Sequence, residues 1–249
     1  MATIFEEINE NSAMSFAPLA VRIRAQKLED WIGQEKVLGK SSWLNKAISS
    51  DSVPSIILYG PAGTGKTTIA KIIANTTAAE FKEVSAVSSK VSDLRNIIVK
   101  AKENLYSCKK KTMLFIDEIH RFNKSQQDAL LHAVENRTVT LIAATTENPY
   151  FEVNSALISR CRIVYLDSLD DENIKQVIQR ALEHPKGLNK KFELEKSVLD
   201  VIVLTSNGDA RMALTTLELA SEVCEYEVQQ EKSEPPFRIK LEQVREVSQ

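Results

Sequence analysis

The sequence predicts an α/β fold: a parallel sheet between helices, followed by a small all-helical domain. Three observations carry that expectation. Between residues 18 and 167, short apolar runs alternate with amphipathic stretches at the spacing of strand–helix–strand units. The apolar runs are continuous, as in strands covered on both faces, and do not alternate with polar residues. Beyond residue 168 only helical periodicity remains.

Taken in order, residues 1–17 are polar and aperiodic and read as a flexible arm. Ser55–Tyr59, Met113–Ile116, Val139–Ala144 and Ile163–Leu166 read as strands, with helices over Thr67–Asn75, Val91–Asn104 and Ser125–Glu135. Residues 18–167 therefore form the first domain and 168–249 the second. Asp170-Asp171-Glu172 opens a helix where the macrodipole favours acidic side chains, and Ile174, Val177, Ile178, Ala181 and Leu182 continue it at helical spacing. Glu195–Thr205 and Asp209–Glu222 read as two more helices. A Pro235-Pro236 loop and a last helical start at Leu241–Val247 complete the chain.

The 249 residues suffice for a substantial core. Lys and Arg number 32 against 34 Asp and Glu, a net charge of −2, which excludes a basic nucleic-acid coat and an acidic tail. Any contact with nucleic acid must come from a local patch. Cys108, Cys161 and Cys224 are odd in number and far apart, against a disulfide framework or a structural zinc site, so a reducing interior is expected. No signal peptide is visible in Met1–Ala17. The apolar runs fall short of the roughly 20 residues of a membrane helix, so no membrane association and a cytoplasmic location are expected.

Of seven glycines, three fall within Gly60-Pro61-Ala62-Gly63-Thr64-Gly65-Lys66-Thr67, which matches G-x-x-x-x-G-K-[ST] between a strand and a helix. Glycines let backbone N–H groups turn inward, and with the positive end of the following helix they bind phosphate. Lys66 would reach the β- and γ-phosphates, and the Thr67 hydroxyl would ligate Mg²⁺. Gly60, Pro61, Ala62, Gly63, Thr64, Gly65, Lys66, Thr67 and Thr68 are the expected nucleotide contacts.

Met113-Leu114-Phe115-Ile116-Asp117-Glu118 is an apolar strand ending in two carboxylates. A parallel strand delivers them to the same sheet edge as the phosphate loop. Asp117 would hold Mg²⁺, and Glu118 would polarise the attacking water. The bland alternative is a strand with a polar cap.

Together these motifs resemble the AAA+ ATPases. By that resemblance Thr145-Thr146 ends the next strand where sensor 1 lies, with Thr146 facing the γ-phosphate. Ser159-Arg160-Cys161 is similar to the arginine-finger motif of the clamp-loader branch, so Arg160 would reach a neighbouring subunit's ATP. Arg211, in Gly208-Asp209-Ala210-Arg211, resembles sensor 2, and Ile32-Gly33-Gln34 resembles the segment against adenine. The alternatives are a surface salt bridge for Arg160, a lid-to-core pair for Arg211, and plain strand positions for both threonines.

Two longer stretches are more specific: Asp117-Glu118-Ile119-His120-Arg121-Phe122-Asn123-Lys124-Ser125-Gln126-Gln127-Asp128, and Ala144-Thr145-Thr146-Glu147-Asn148-Pro149-Tyr150-Phe151-Glu152 followed by Asn154-Ser155-Ala156-Leu157. With Pro18-Leu19-Ala20, Arg22, Arg24 and Gly33-Gln34-Glu35 they resemble the replication-associated recombination protein A family and its eukaryotic Werner-helicase-interacting relatives. The likeness runs from about residue 18 to 248. It implies a DNA-dependent ATPase using ATP and Mg²⁺ at stalled or gapped forks, DNA ends and single strands. It further implies a homo-oligomer partnered by single-strand-binding protein and associated with the nucleoid.

Ala25 stands where the family usually has Pro, and Ala62 where the loop often has a second Pro. The family continues into a helical oligomerisation domain beyond this chain, which leaves an ATPase core and lid and opens the alternative of a monomer. A clamp-loader subunit and a branch-migration motor are the rivals within the class; the Asn-Pro-Tyr-Phe-Glu stretch argues against both. A nucleotide-gated binding module without hydrolysis is the rival outside it.

Lys109-Lys110-Lys111 reads as a solvated loop, and Arg121 and Lys124 as possible phosphate contacts. His120 and His132 lack metal-ligand spacing and read as structural, and Trp31 and Trp43 as packing residues.

Overall fold

The computed structural model describes residues 16–77, 79–87, 89–231 and 234–247. The arm expected over 1–17 lies outside the described residues as far as residue 15. Two compact units result: residues 25–167, and the segment up to residue 24 joined with residue 168 onward.

The first unit holds a five-stranded parallel sheet of β1 (Ile56–Tyr59), β2 (Glu80–Ser85), β3 (Thr112–Asp117), β4 (Thr140–Thr145) and β5 (Arg162–Tyr165). Their spatial order is β2-β3-β4-β1-β5, with every pairing parallel. All five strands therefore end on one edge.

The pleat sorts each central strand's apolar residues between two cores. Ile56, Leu58, Met113, Phe115, Ile142 and Ala144 face the helices Trp43–Ser49 and Lys66–Thr77, through Leu44, Ile48, Ile69 and Ile73. Ile57, Leu114, Ile116, Leu141 and Ala143 face Val91–Cys108 and Lys124–Glu135, through Leu94, Ala101, Leu130 and Val134. Burying such a side chain is worth about 1.5–3 kcal/mol, which explains the near-continuous apolar runs.

β2 has no counterpart in the sequence reading. Its residues Glu80-Phe81-Lys82-Glu83-Val84-Ser85 bury only Val84, as an edge strand permits. It carries its own pairs, Lys82 to Glu80 at 2.6 Å and Lys71 to Glu83 at 3.4 Å.

The second unit packs the helices Asp171–Glu183, Lys196–Ser206, Ala210–Glu231 and Leu241–Val247 around Ile174, Ile178, Ile202, Leu217 and Val244. Asp170 caps the first by accepting from the Asn173 N–H at 2.7 Å, and contacts with Asn173 hold its carboxyl below the usual range. A two-stranded parallel pair, β6 (Phe192–Leu194) and β7 (Phe237–Ile239), adds to the helices.

Residues 18–24, assigned from sequence to the first domain, fall in this second unit. Leu19 and Ile23 are buried in its core, the Leu19 N–H donates to the Glu218 carboxylate at 2.9 Å, and Arg22 pairs with Glu218 at 2.8 Å. Too short to read by periodicity, this segment takes its place from long-range contacts. No described helix is long and apolar enough to cross a membrane.

Candidate functional site: a phosphate loop and an acidic strand end

β1 leads straight into the loop. The Gly60 N–H donates to the Thr145 carbonyl at 3.3 Å, which ties the loop's first residue to the end of β4. A Cβ at Gly60 would collide with the Leu166 carbonyl. At Gly65 the backbone is left-handed (φ +92°) and a Cβ would strike the Trp31 ring, so only glycine fits.

The loop is braced from inside. Thr64, fully buried, donates to the Pro61 carbonyl at 2.9 Å. Lys66 is also buried, its Nζ donating to the carbonyls of Gly60 at 2.8 Å and Pro61 at 2.7 Å. The ammonium thus lies within the cradle, at the start of the helix Lys66–Thr77. Thr67 and Thr68 are half-buried in the first turn of that helix. These features fit the phosphates of a nucleotide: a cation, free-turning glycines and a helix N-terminus converge in one loop.

Ile32 and Gly33 belong to a segment fixed at both ends of the site. Trp31 packs on Gly65, and the buried Gln34 donates to the Asp167 carbonyl at 2.6 Å while accepting from its N–H at 3.2 Å. The sequence reading had Trp31 as a packing residue and gave Gln34 no such role.

Asp117, half-buried, closes β3 on the same edge. Glu118 follows in a left-handed conformation (φ 54°, ψ 51°) and starts the 3₁₀ turn Ile119–Arg121. Such backbone costs on the order of 1–3 kcal/mol in a residue other than glycine. Here it turns the chain so that His120 Nδ1 comes 2.9 Å from Thr145 Oγ1 and 3.2 Å from Glu118 Oε2. Thr145 is fully buried, and Thr146 lies half-buried just past the end of β4.

The motif after Glu118 forms a bracket. Asn123 and Gln126 make reciprocal 2.9 Å caps at the start of Lys124–Glu135, and Gln126 also donates to the Ser89 carbonyl at 2.7 Å. Gln127 donates to the carbonyls of Phe122 at 3.0 Å and Glu152 at 3.3 Å and accepts from the Asn154 N–H at 2.7 Å. The Asn154–Leu157 stretch is thereby fastened to the acidic strand end. Sequence reading marked both motifs without linking them; amide side chains signal no partner until the chain is folded.

Arg160 follows the short helix Ser155–Ile158. Its guanidinium donates to the Ala156 carbonyl at 2.7 Å and pairs with Glu135 at 3.2 Å, the surface salt bridge among the alternatives. An ion pair this exposed is worth about 0–1 kcal/mol and is readily exchanged for a stronger anion. Behind it, burial pushes the Cys161 thiol up to about 12. Arg211 is exposed in the second unit, in the first turn of Ala210–Glu231, where Asp209 caps the helix by accepting from the Arg211 N–H at 2.8 Å. Among the described residues no three His, Cys, Asp or Glu side chains form a metal cluster.

Comparison with known proteins agrees with this geometry. The family model described as "ATPase family associated with various cellular activities (AAA)" matches residues 56–169. Replication-associated recombination protein A of Haemophilus influenzae is 50% identical over 206 residues, 82% of this chain and 46% of that protein. ATPase WRNIP1 of Dictyostelium discoideum is 41% identical over 230 residues, 92% of this chain and 25% of that protein. Among solved structures, the Thermotoga maritima RuvB Holliday junction branch migration motor superposes with a TM-score of 0.72 at 29% identity, covering 90% of this chain and 72% of that one. The chain spans about half the length of the bacterial relatives it matches. With its phosphate loop, acidic strand end and long identity to these relatives, the chain belongs to the AAA+ ATPases, in the replication-associated recombination protein A family.

Proposed function

We propose that this chain is the hydrolytic core of a DNA-dependent ATPase that remodels DNA, or proteins on DNA, at stalled or gapped replication forks. The observation that carries the reading is the common strand edge, which brings the Gly60–Thr68 loop and Asp117-Glu118 to one site. ATP is the substrate, gripped through its phosphates by the loop N–H groups and Lys66, with Ile32 and Gly33 toward the base. Thr67 and Asp117 would hold Mg²⁺, which supplies charge neutralisation at the phosphate oxygens.

Glu118 orients the attacking water and draws off its proton, and Thr146 marks the γ-phosphate side. Arg160 acts across a subunit boundary, where an arginine finger is worth on the order of 10³–10⁵ in rate. Arg211 takes the sensor 2 role by its likeness to that motif. The chain works as a homo-oligomer on forks, gaps, ends and single strands, with single-strand-binding protein as partner, in the cytoplasm at the nucleoid. Identity of 50% to the recombination protein against 29% to the branch-migration motor favours fork rescue over branch migration.

The test compares ATP hydrolysis by the parent chain with that of Glu118→Gln. Turnover in the parent and its loss in the variant, at unchanged ATP affinity, is expected. Equal near-zero rates in both would leave a nucleotide-gated binding module instead.

A further inference from the structure

The carboxylate proposed to handle the water is left incomplete by its own surroundings. Glu118 Oε2 is buried and has no hydrogen-bond partner among the described residues. Such an orphan costs about 1–3 kcal/mol, and more when charged. The donor beside it is His120 Nδ1, 3.2 Å away but not aligned for a hydrogen bond.

Thr145 shows where that donor is spent. Its Oγ1 accepts from the Glu147 N–H at 3.0 Å, donates to the Glu147 carbonyl at 3.2 Å, and lies 2.9 Å from His120 Nδ1. Nδ1 faces the Glu118 carboxylate, which when ionised can only accept, and the Thr145 hydroxyl, whose own proton can go to the Glu147 carbonyl; we therefore assign the hydrogen to Nδ1. Nδ1 thus lies close to two acceptors, 2.9 Å from Thr145 Oγ1 and 3.2 Å from Glu118 Oε2.

We propose that His120 is the positioning residue for Glu118, an N–H donor anchored on Thr145 that sets where the carboxylate stands. The inference rests on the reading of Glu118 as the water-activating group. It also extends that reading. Thr145 gives its carbonyl to the Gly60 N–H and its hydroxyl to His120, so three contacts join the first residue of the phosphate loop to the carboxylate. A shift of the loop around phosphate is thereby felt at Glu118. His120, read from sequence as structural, becomes part of the site's timing.

Two measurements test this. The first is single-turnover ATP hydrolysis by the parent chain, His120→Ala, Thr145→Val, Thr145→Ser, Glu118→Gln and the Glu118→Gln/His120→Ala double variant. Loss of His120 should slow the chemical step on the order of 10–100-fold, the range for groups that orient a reactive ligand, while ATP affinity changes less than about threefold. Thr145→Val should copy that loss, Thr145→Ser should recover most of it, and the double variant should be no slower than Glu118→Gln alone. Multiplying losses in the double variant, or full rate in Thr145→Val, would overturn the proposal.

The second measurement does not need turnover. The chain has three histidines, so side-chain ¹⁵N spectra resolve each ring. Glu118→Gln and Thr145→Val should each move the His120 signals while His132 and His184 stay put, with the parent ring protonated at Nδ1. A His120 ring insensitive to both changes would overturn the positioning role. An inactive parent chain with the expected spectra would count against the proposed function alone.

Discussion

In the sheet unit, the buried polar side chains Thr64, Lys66, Gln127 and Thr145 gather around the carboxyl edge and bond to residues far away in sequence or across a tight loop. The helical unit uses its buried hydroxyls differently. Ser206 donates to Val203 and Ser221 to Glu218, each a carbonyl three residues back in the same helix. Non-glycine left-handed residues occur in both units, as at Arg137 and Asn207, but Gln34 and Glu118 are the ones beside the phosphate loop and the water site. At the sheet's carboxyl edge, buried polar groups and the left-handed Glu118 coincide with the proposed chemistry, whereas the Ser206 and Ser221 hydroxyls are satisfied within their own helices.

This contrast is open to test, beginning with the largest effect. Arg160→Ala should lower ATP turnover on the order of 10³–10⁵-fold with ATP affinity retained. Mixing it with Lys66→Ala should restore part of the rate, because each variant supplies what the other lacks. Tight binding lost together with turnover would contradict a finger acting in trans. Lys66→Ala should weaken ATP binding about a hundredfold by calorimetry, near 2.7 kcal/mol.

In the core of the helical unit, apart from Arg211, substitutions should change stability and not turnover. Leu217→Ala removes a fully buried side chain and should cost about 2–5 kcal/mol in denaturant unfolding. Ser221→Ala should cost about 1 kcal/mol and leave turnover unchanged, in contrast to Thr145→Val. A turnover defect in Ser221→Ala would erase the distinction between the units. The smallest effect concerns the thiols: at pH 8 a maleimide should label exposed Cys108 first. Burial raises Cys161 to about 12 and also raises Cys224, so both stay protonated and slow to react.

Much of this was legible from residue order. The four strands with continuous apolar runs, the phosphate loop and Asp117-Glu118 each announce themselves locally, since two-sided burial demands apolar runs and a phosphate cradle demands glycine. What escaped depends on tertiary context. β2 carries charges at Glu80, Lys82 and Glu83 and no apolar run, because only Val84 is buried. β6 and β7 span three residues each, too few for a period. Residues 18–24 take their place from Glu218, far along the chain. His120 lacked metal-ligand neighbours, and its partner Thr145 approaches only once β3 and β4 pair.

The most direct measurement is steady-state ATP hydrolysis by this chain with no DNA, with single strands, and with forked or gapped duplex, using Glu118→Gln as the blank. We expect strong stimulation by forks, gaps or ends and none in the blank. Tight ATP binding with no turnover on any DNA would contradict a DNA-dependent ATPase.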